Sequence, residues 1–193
     1  MPDNITAFDT GPANALMDDY MQTFTDRPYD KNGDIAKSGT ANTALVDTFK
    51  THPYFAKSFP KSLDRDTFKI DFTDEVWNAL STADAMASLA DMTIASVKIA
   101  LDNFTDLHTL YKLRTLVVCG GGANNAHIIQ RLKSVLDWEI ITANDYGLNN
   151  DMLEANAFGY LAVRHMKKLP LSCPSTTNLL SPCLGGFLFT ANR

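Results

Sequence analysis

Asp9-Thr10-Gly11-Pro12-Ala13-Asn14 sets a carboxylate, a hydroxyl, a glycine and an amide in one short stretch just ahead of a helical pattern. In open α/β sheets, ligands settle beyond the carboxyl ends of strands, so a carboxylate there is well placed to reach one. The plainer alternative is an Asp/Thr turn with Asn14 as an ordinary helix N-cap. A second segment, Gly120-Gly121-Gly122, follows a β-branched apolar run and precedes a helix. Glycines let backbone approach a ligand closely, and a helix N-terminus offers unpaired N–H groups to anions. The spacing matches neither GxGxxG nor GxxxxGK[ST]. Without the lysine it suits a nucleoside surface better than a triphosphate clamp, and a tight strand-to-helix turn explains it equally well. Third, Asp151-Met152-Leu153-Glu154 fits a capping box, with Glu154 at the third helical position. The small and apolar residues after Glu154 predict a helix buried on most sides, which leaves its carboxylate free for either a capping or a binding role.

The histidines at 52, 108, 127 and 165 show no metal-ligand spacing and read as surface or packing residues. Cys119, Cys173 and Cys183 form neither a disulfide framework nor a zinc motif. Cys119 reads as a small core hydrophobe.

These segments need elements to hold them. Leu16, Tyr20 and Phe24 recur every four residues and predict a helix over 14–25. Leu45, Val46 and Phe49 predict another, which must stop near His52 because Pro53 disfavours helical geometry before it. Residues 54–75 read as a long connection. Met86, Leu89, Thr93, Val97 and Leu101 predict a long helix from Thr82, with Ser81 and Asp84 as its capping pair. Then the pattern changes. Thr115–Cys119 and Glu139–Thr142 read as buried strands, separated by a helix carrying Ile128, Ile129, Leu132, Val135 and Leu136. A further helix is expected over 151–168. Strand–helix–strand–helix is a βαβ unit, about 112–168, in a sheet flanked by helices. The tail from Leu169 reads as irregular chain ending in a short strand. Residues 5–8 look like the end of a strand with nothing ahead of it, as in the back half of a larger protein.

Composition narrows the partners. The chain has 193 residues, 45% hydrophobic, with 17 basic against 22 acidic residues and a net charge of −5. No basic run marks a nucleic-acid binder, and no apolar stretch is long enough to span a membrane. A soluble, cytoplasmic globular protein is expected.

Taken in order, several segments make a more specific pattern: Phe8 to Leu16, His52-Pro53-Tyr54-Phe55, Pro60-Lys61-Ser62 with Arg65, Val118 to Asn125, Glu154 to Phe158, and Leu184-Gly185-Gly186. The series resembles the carboxyl-terminal half of the anhydro-N-acetylmuramic acid kinase family, from about Phe8 to Leu188. The resemblance implies one ribonuclease H-like lobe of the sugar kinase, Hsp70 and actin superfamily, an α/β fold with a mixed sheet flanked by helices, over 1–193. It implies an ATP- and Mg2+-dependent enzyme of cell-wall recycling that opens a 1,6-anhydro amino sugar and phosphorylates O6. It further implies Asp9 as general base, Gly11 and Asn14 along the phosphates, Gly120, Gly121 and Gly122 beside the adenosine, Glu154 at the sugar, and a homodimer. The family's amino-terminal Met-Ser-Gly-Thr-Ser loop and its Asn-x-Gly-Gly hairpin have no counterpart here, which points to a truncated lobe that is inactive alone. Leu63-Asp64-Arg65-Asp66 stands where Thr-Gly-Arg-Glu is usual and Asn178 where glycine is common, and Lys61 and Arg65 receive no role. A non-catalytic nucleotide-binding or interaction module derived from that lobe is the competing reading.

Overall fold

The computed structural model describes residues 5–103 and 114–189, and the chain divides into two compact units. The larger comprises the described parts of 10–56 and 63–151; the smaller comprises the described parts of 1–9, 57–62 and 152–193. His108 lies outside the described residues.

The larger unit is built around one helix. Its helices are α1 (Ala15–Phe24), α2 (Asp34–Ser38), α3 (Thr43–Lys50), α4 (Glu75–Asn78) and α5 (Thr82–Asn103), followed by β1 (Thr115–Val118), α6 (Ala126–Val135) and β2 (Glu139–Thr142). Helix α5 starts at the expected cap: the Asp84 N–H donates to Ser81 Oγ (3.1 Å), and Ser81 Oγ–H donates to Asp84 Oδ2 (2.7 Å). Ala85, Met86, Leu89, Ala90, Met92 and Ile94 are all buried. Burying a side chain such as Met86 or Leu89 is worth about 1.5–3 kcal/mol, so α5 is where this unit's stability concentrates.

Helix α2 was not foreseen. In its first turn the Ile35 and Ala36 N–H groups donate to the buried Asp30 carboxylate at 3.0 and 2.9 Å. Asn32 and Gly33 (φ +59 and +73) turn the chain into it. The stretch expected as a long connection is organised by rings instead. Phe68 packs on Phe49, His52, Tyr54 and Phe55 at centroid separations of 4.6–5.6 Å. Phe72 meets Tyr20 and Trp77 edge-on at 5.2 and 5.3 Å. Such pairs add about 0.5–1.5 kcal/mol each beyond their burial, enough to hold a segment with little regular structure.

Strands β1 and β2 pair in parallel, from Thr115 opposite Glu139 to Val118 opposite Thr142. Helix α6 connects them and turns Ile128 and Leu132 inward. Asn125 caps it by accepting from the Ile128 N–H at 3.0 Å. Arg131 on α6 holds Asp91 on α5 with two N–H donors, at 3.0 and 2.9 Å. The strands are less buried than their composition predicts. Ile140 is the buried strand residue, while Val117 and Cys119 are exposed. An apolar run at a strand marks a capacity for burial, and among the described residues that capacity is only partly filled.

In the smaller unit, residues 5–9 join no ladder. The Ala7 N–H donates to Ser175 O (3.1 Å) and the Asp9 N–H to Lys61 O (3.0 Å), two partners on different segments. Helix α7 (Leu153–Met166) carries Glu154 in its first turn; α8 (Pro174–Thr177) follows. The tail shows no closing strand through 189, only an isolated antiparallel bridge between Ser172 and Cys183.

Candidate active site

Gly11 sits where the loop after Asp9 comes down on α5. A Cβ there would lie 2.5 Å from both Cβ and Oγ of Ser96, so this packing requires glycine. Thr93 Oγ–H fastens the same loop, donating to Ala13 O at 2.6 Å. Ala13 itself is held at φ +49, a left-handed conformation that alanine adopts only at a cost.

Asn14 occupies the N-cap position of α1 yet makes no side-chain capping bond. Its amide nitrogen points at the glycine turn instead: Cβ atoms built on Gly121 or Gly122 would each lie 3.9 Å from it. A Cβ on Gly120 would meet nothing within 4 Å, and its φ of +69 is one that glycine accepts freely. Asn14, Gly121, Asn124 and Asn125 help to line a cleft of about 560 Å³ that also takes in Tyr29 and Lys31. That volume falls in the range of small-molecule and cofactor sites. Open space over three glycines with one amide across from them fits the edge of a nucleotide.

The turn is clamped from a distance. The Gly120 N–H donates to Asn150 Oδ1 and Asn150 Nδ2 donates back to Gly120 O, both at 3.0 Å. Asn150 is buried, its own N–H donates to Asn144 Oδ1 at 3.0 Å, and it reaches Asn124 Oδ1 at 3.5 Å. Its side-chain amide thus pairs with a backbone amide as one β-strand residue pairs with another. Sequence reasoning missed it, though the adjacent Asn149-Asn150 before a helix was a visible cue for backbone-directed amides.

Asp9 and Glu154 belong to the smaller unit. Asp9 is exposed, and its backbone is tied to Lys61. Glu154 is exposed too. Helix α7 starts at Leu153 with Met152 at the cap position and no side-chain cap, so the expected capping box does not form and Glu154 falls one residue earlier in the turn. Nor is α7 buried on most sides. Residues 154–160 are exposed, and Arg164 is its buried residue among those described. Helix α7 contains the apolar residues, but nothing among the described segments covers them.

The histidines pack as expected where described. His52 Nδ1 accepts from the Tyr54 N–H at 3.2 Å, and His165 Nδ1 lies 2.7 Å from Gly185 O. Burial holds the His127 imidazole below its ordinary pKa. Arg65 pairs with Asp19 at 2.6 Å on an exposed surface.

The relatives of this chain are kinases by name. A protein from Methylobacterium nodulans named anhydro-N-acetylmuramic acid kinase is 39% identical over 183 residues, covering 95% of this chain and 46% of its own length. Proteins of the same name from Roseobacter denitrificans (39% identical; 94% of this chain, 46% of theirs) and Pasteurella multocida (35%; 99% and 51%) match likewise. The family profile described as anhydro-N-acetylmuramic acid kinase matches residues 1–191, and the chain belongs to that family. It spans about half the length of the curated relatives it matches. No helix among the described residues is long and apolar enough to cross a membrane.

Proposed function

We propose that this chain is the carboxyl-terminal, ribonuclease H-like lobe of an ATP-dependent 1,6-anhydro-N-acetylmuramic acid kinase working in the cytoplasm. The observation that carries the reading is the open turn at Gly120–Gly122 facing the Asn14 amide, in a chain that matches the family along almost all its length. Gly120, Gly121 and Gly122 would lie along the adenosine, with Asn14 and Gly11 toward the phosphates. ATP supplies the phosphoryl group. Nucleotide-borne magnesium rests mainly on phosphate oxygens and water, with one or two carboxylates. Among the described residues no three side chains of ligating type stand together, and none is assigned to it.

Asp9 is the residue for the proton. A carboxylate aimed at a water takes its proton as the water oxygen bonds to C1 and the C1–O6 bond breaks. O6 then attacks the γ-phosphorus and the bond to the β-phosphate oxygen breaks. Glu154 would orient the sugar. Phosphoryl transfer depends on positioning and charge, so residues that aim groups matter as much as those that exchange protons. The reading includes a homodimer, for which light scattering should give twice the 21.3 kDa chain mass.

The test uses an enzyme containing both lobes. Asp9→Asn should abolish sugar phosphate formation while binding of a non-hydrolysable ATP analogue is kept. Turnover by that variant near the wild-type rate would refute Asp9 as the base. Analogue binding unaffected by Gly121→Val would refute the glycine surface.

A further inference from the structure

Lys61 has no role assigned by sequence pattern, and its surroundings supply one. Lys57, Ser58, Lys61, Ser62, Thr176 and Thr177 line one pocket of about 660 Å³, together with Asn178 and Pro60. Apart from Pro60, every lining side chain can donate a hydrogen bond, and two carry positive charge. Lys61 is buried, its ammonium 5.2 Å from the centre of the Phe59 ring. The same segment adjoins the candidate base, through the Asp9 N–H donated to Lys61 O at 3.0 Å.

We infer that this pocket is an oxyanion subsite beside Asp9 that takes the carboxylate of the sugar acid. The inference rests on the kinase reading for the identity of the sugar, whose lactyl ether carries that carboxylate. Two lysines lining one cavity, one of them a buried residue, favour an anion there, since charge-assisted hydrogen bonds are strong and directional. Burial pulls the Lys61 pKa below its ordinary value, and the neighbouring Lys57 charge pulls it further. An oxyanion reverses the second effect and offsets the first. Threonine and serine hydroxyls around the lysines supply the remaining donors. A ligand held here by its acid group would present the rest of its ring near the carboxylate of Asp9.

The experiment titrates the 193-residue chain with N-acetylmuramic acid, N-acetylglucosamine and inorganic phosphate, followed by backbone amide NMR. N-acetylmuramic acid should shift the amides of 57–62 and 176–178 and bind at least about tenfold more tightly than N-acetylglucosamine, which has the same ring without the acid. Lys61→Met and Lys57→Met should each weaken that binding about tenfold, while Lys61→Arg, which keeps the charge, retains it and controls for folding. Equal binding of the two sugars overturns the inference, as does binding unchanged in both methionine variants. Phosphate bound here in preference to N-acetylmuramic acid overturns the carboxylate assignment. A non-hydrolysable ATP analogue gives a separate readout at Gly120–Gly122. Shifts there with none at 57–62 under either anion overturn this inference and leave the kinase reading standing. The converse pattern supports the anion subsite and overturns the kinase reading.

Discussion

Replacing Asn150 with alanine removes the two bonds it makes to Gly120, each 3.0 Å long, while leaving the Ala123 N–H bond to Gly120 O and the Asn150 backbone bond to Asn144 in place. Two hydrogen bonds at about 1 kcal/mol each set the loss near 2 kcal/mol. Gly120 is exposed, so water can take over the freed N–H, and its carbonyl keeps the Ala123 N–H, which brings the expectation to about 1–2 kcal/mol. With a urea slope of about 2 kcal/mol/M, the unfolding midpoint should fall by about 0.5–1 M. Asn150→Asp is the sharper probe. It keeps an acceptor for the Gly120 N–H but turns a carboxylate oxygen toward the Gly120 carbonyl, so it should cost at least as much as alanine. Both variants should also weaken binding of an ATP analogue, because the turn loses the clamp that fixes its direction. A midpoint within about 0.1 M of wild type in both variants would show that Asn150 does not hold the turn. Full stability loss with unchanged nucleotide affinity would show that the turn is not the nucleotide surface.

Gly11→Ala forces a methyl group to within 2.5 Å of Ser96 on the buried face of α5. Overpacking of this kind costs about 1–3 kcal/mol, and at about 2–4 °C per kcal/mol for a chain of this size thermal unfolding should shift down by several degrees. An unchanged Tm by circular dichroism would mean the loop is not pressed on the helix. At His127, burial lowers the folded-state pKa, Asp91 opposes it, Arg131 reinforces it, and Asp30 and Lys37 act more weakly in opposite senses. The folded chain therefore takes up this proton less readily than the unfolded one. Its stability should be whole above about pH 6.5 and decline as pH falls from there through the lowered pKa. His127→Gln should flatten that decline in urea midpoints between pH 7.5 and 5, and an identical pH profile in the variant would exclude His127 as its source.

Much of the larger unit was legible because its signals are local. A β-branched run ending in glycines gave β1, the Ser81 and Asp84 pair gave the start of α5, and Pro53 gave the end of α3. Helix α2 was not legible because its cap, Asp30, precedes it by four residues and a left-handed turn. The Asn32-Gly33 pair was its only trace. At the site, the glycine turn could be read and its clamp could not, since Asn150 lies 30 positions from Gly120 and only the chain's path brings them together. Exposure of α7 escaped for a different reason. Alanine, phenylalanine and valine state what a helix could bury, and the covering surface is a property of other segments. The pocket at Lys57 and Lys61 was likewise hidden, because its far wall is contributed by Thr176 and Thr177.

The contrast between α5 and α7 has a consequence for how the chain breathes. Amides of α5 are wrapped by side chains on nearly every face, so their exchange with solvent deuterium requires the whole unit to open. Phe158, Val163 and Met166 on α7 stand 65%, 53% and 63% exposed, and among the described residues the helix is fastened near its end, where Arg164 Nε donates to Pro170 O at 2.8 Å and His165 Nδ1 lies 2.7 Å from Gly185 O. Amides of α7 should therefore exchange by local opening, minutes or more ahead of those in α5. Glu154 rides on that lightly anchored helix. A ligand gripping it would slow exchange along α7 first, and part of its binding free energy would go into ordering the helix that presents the carboxylate.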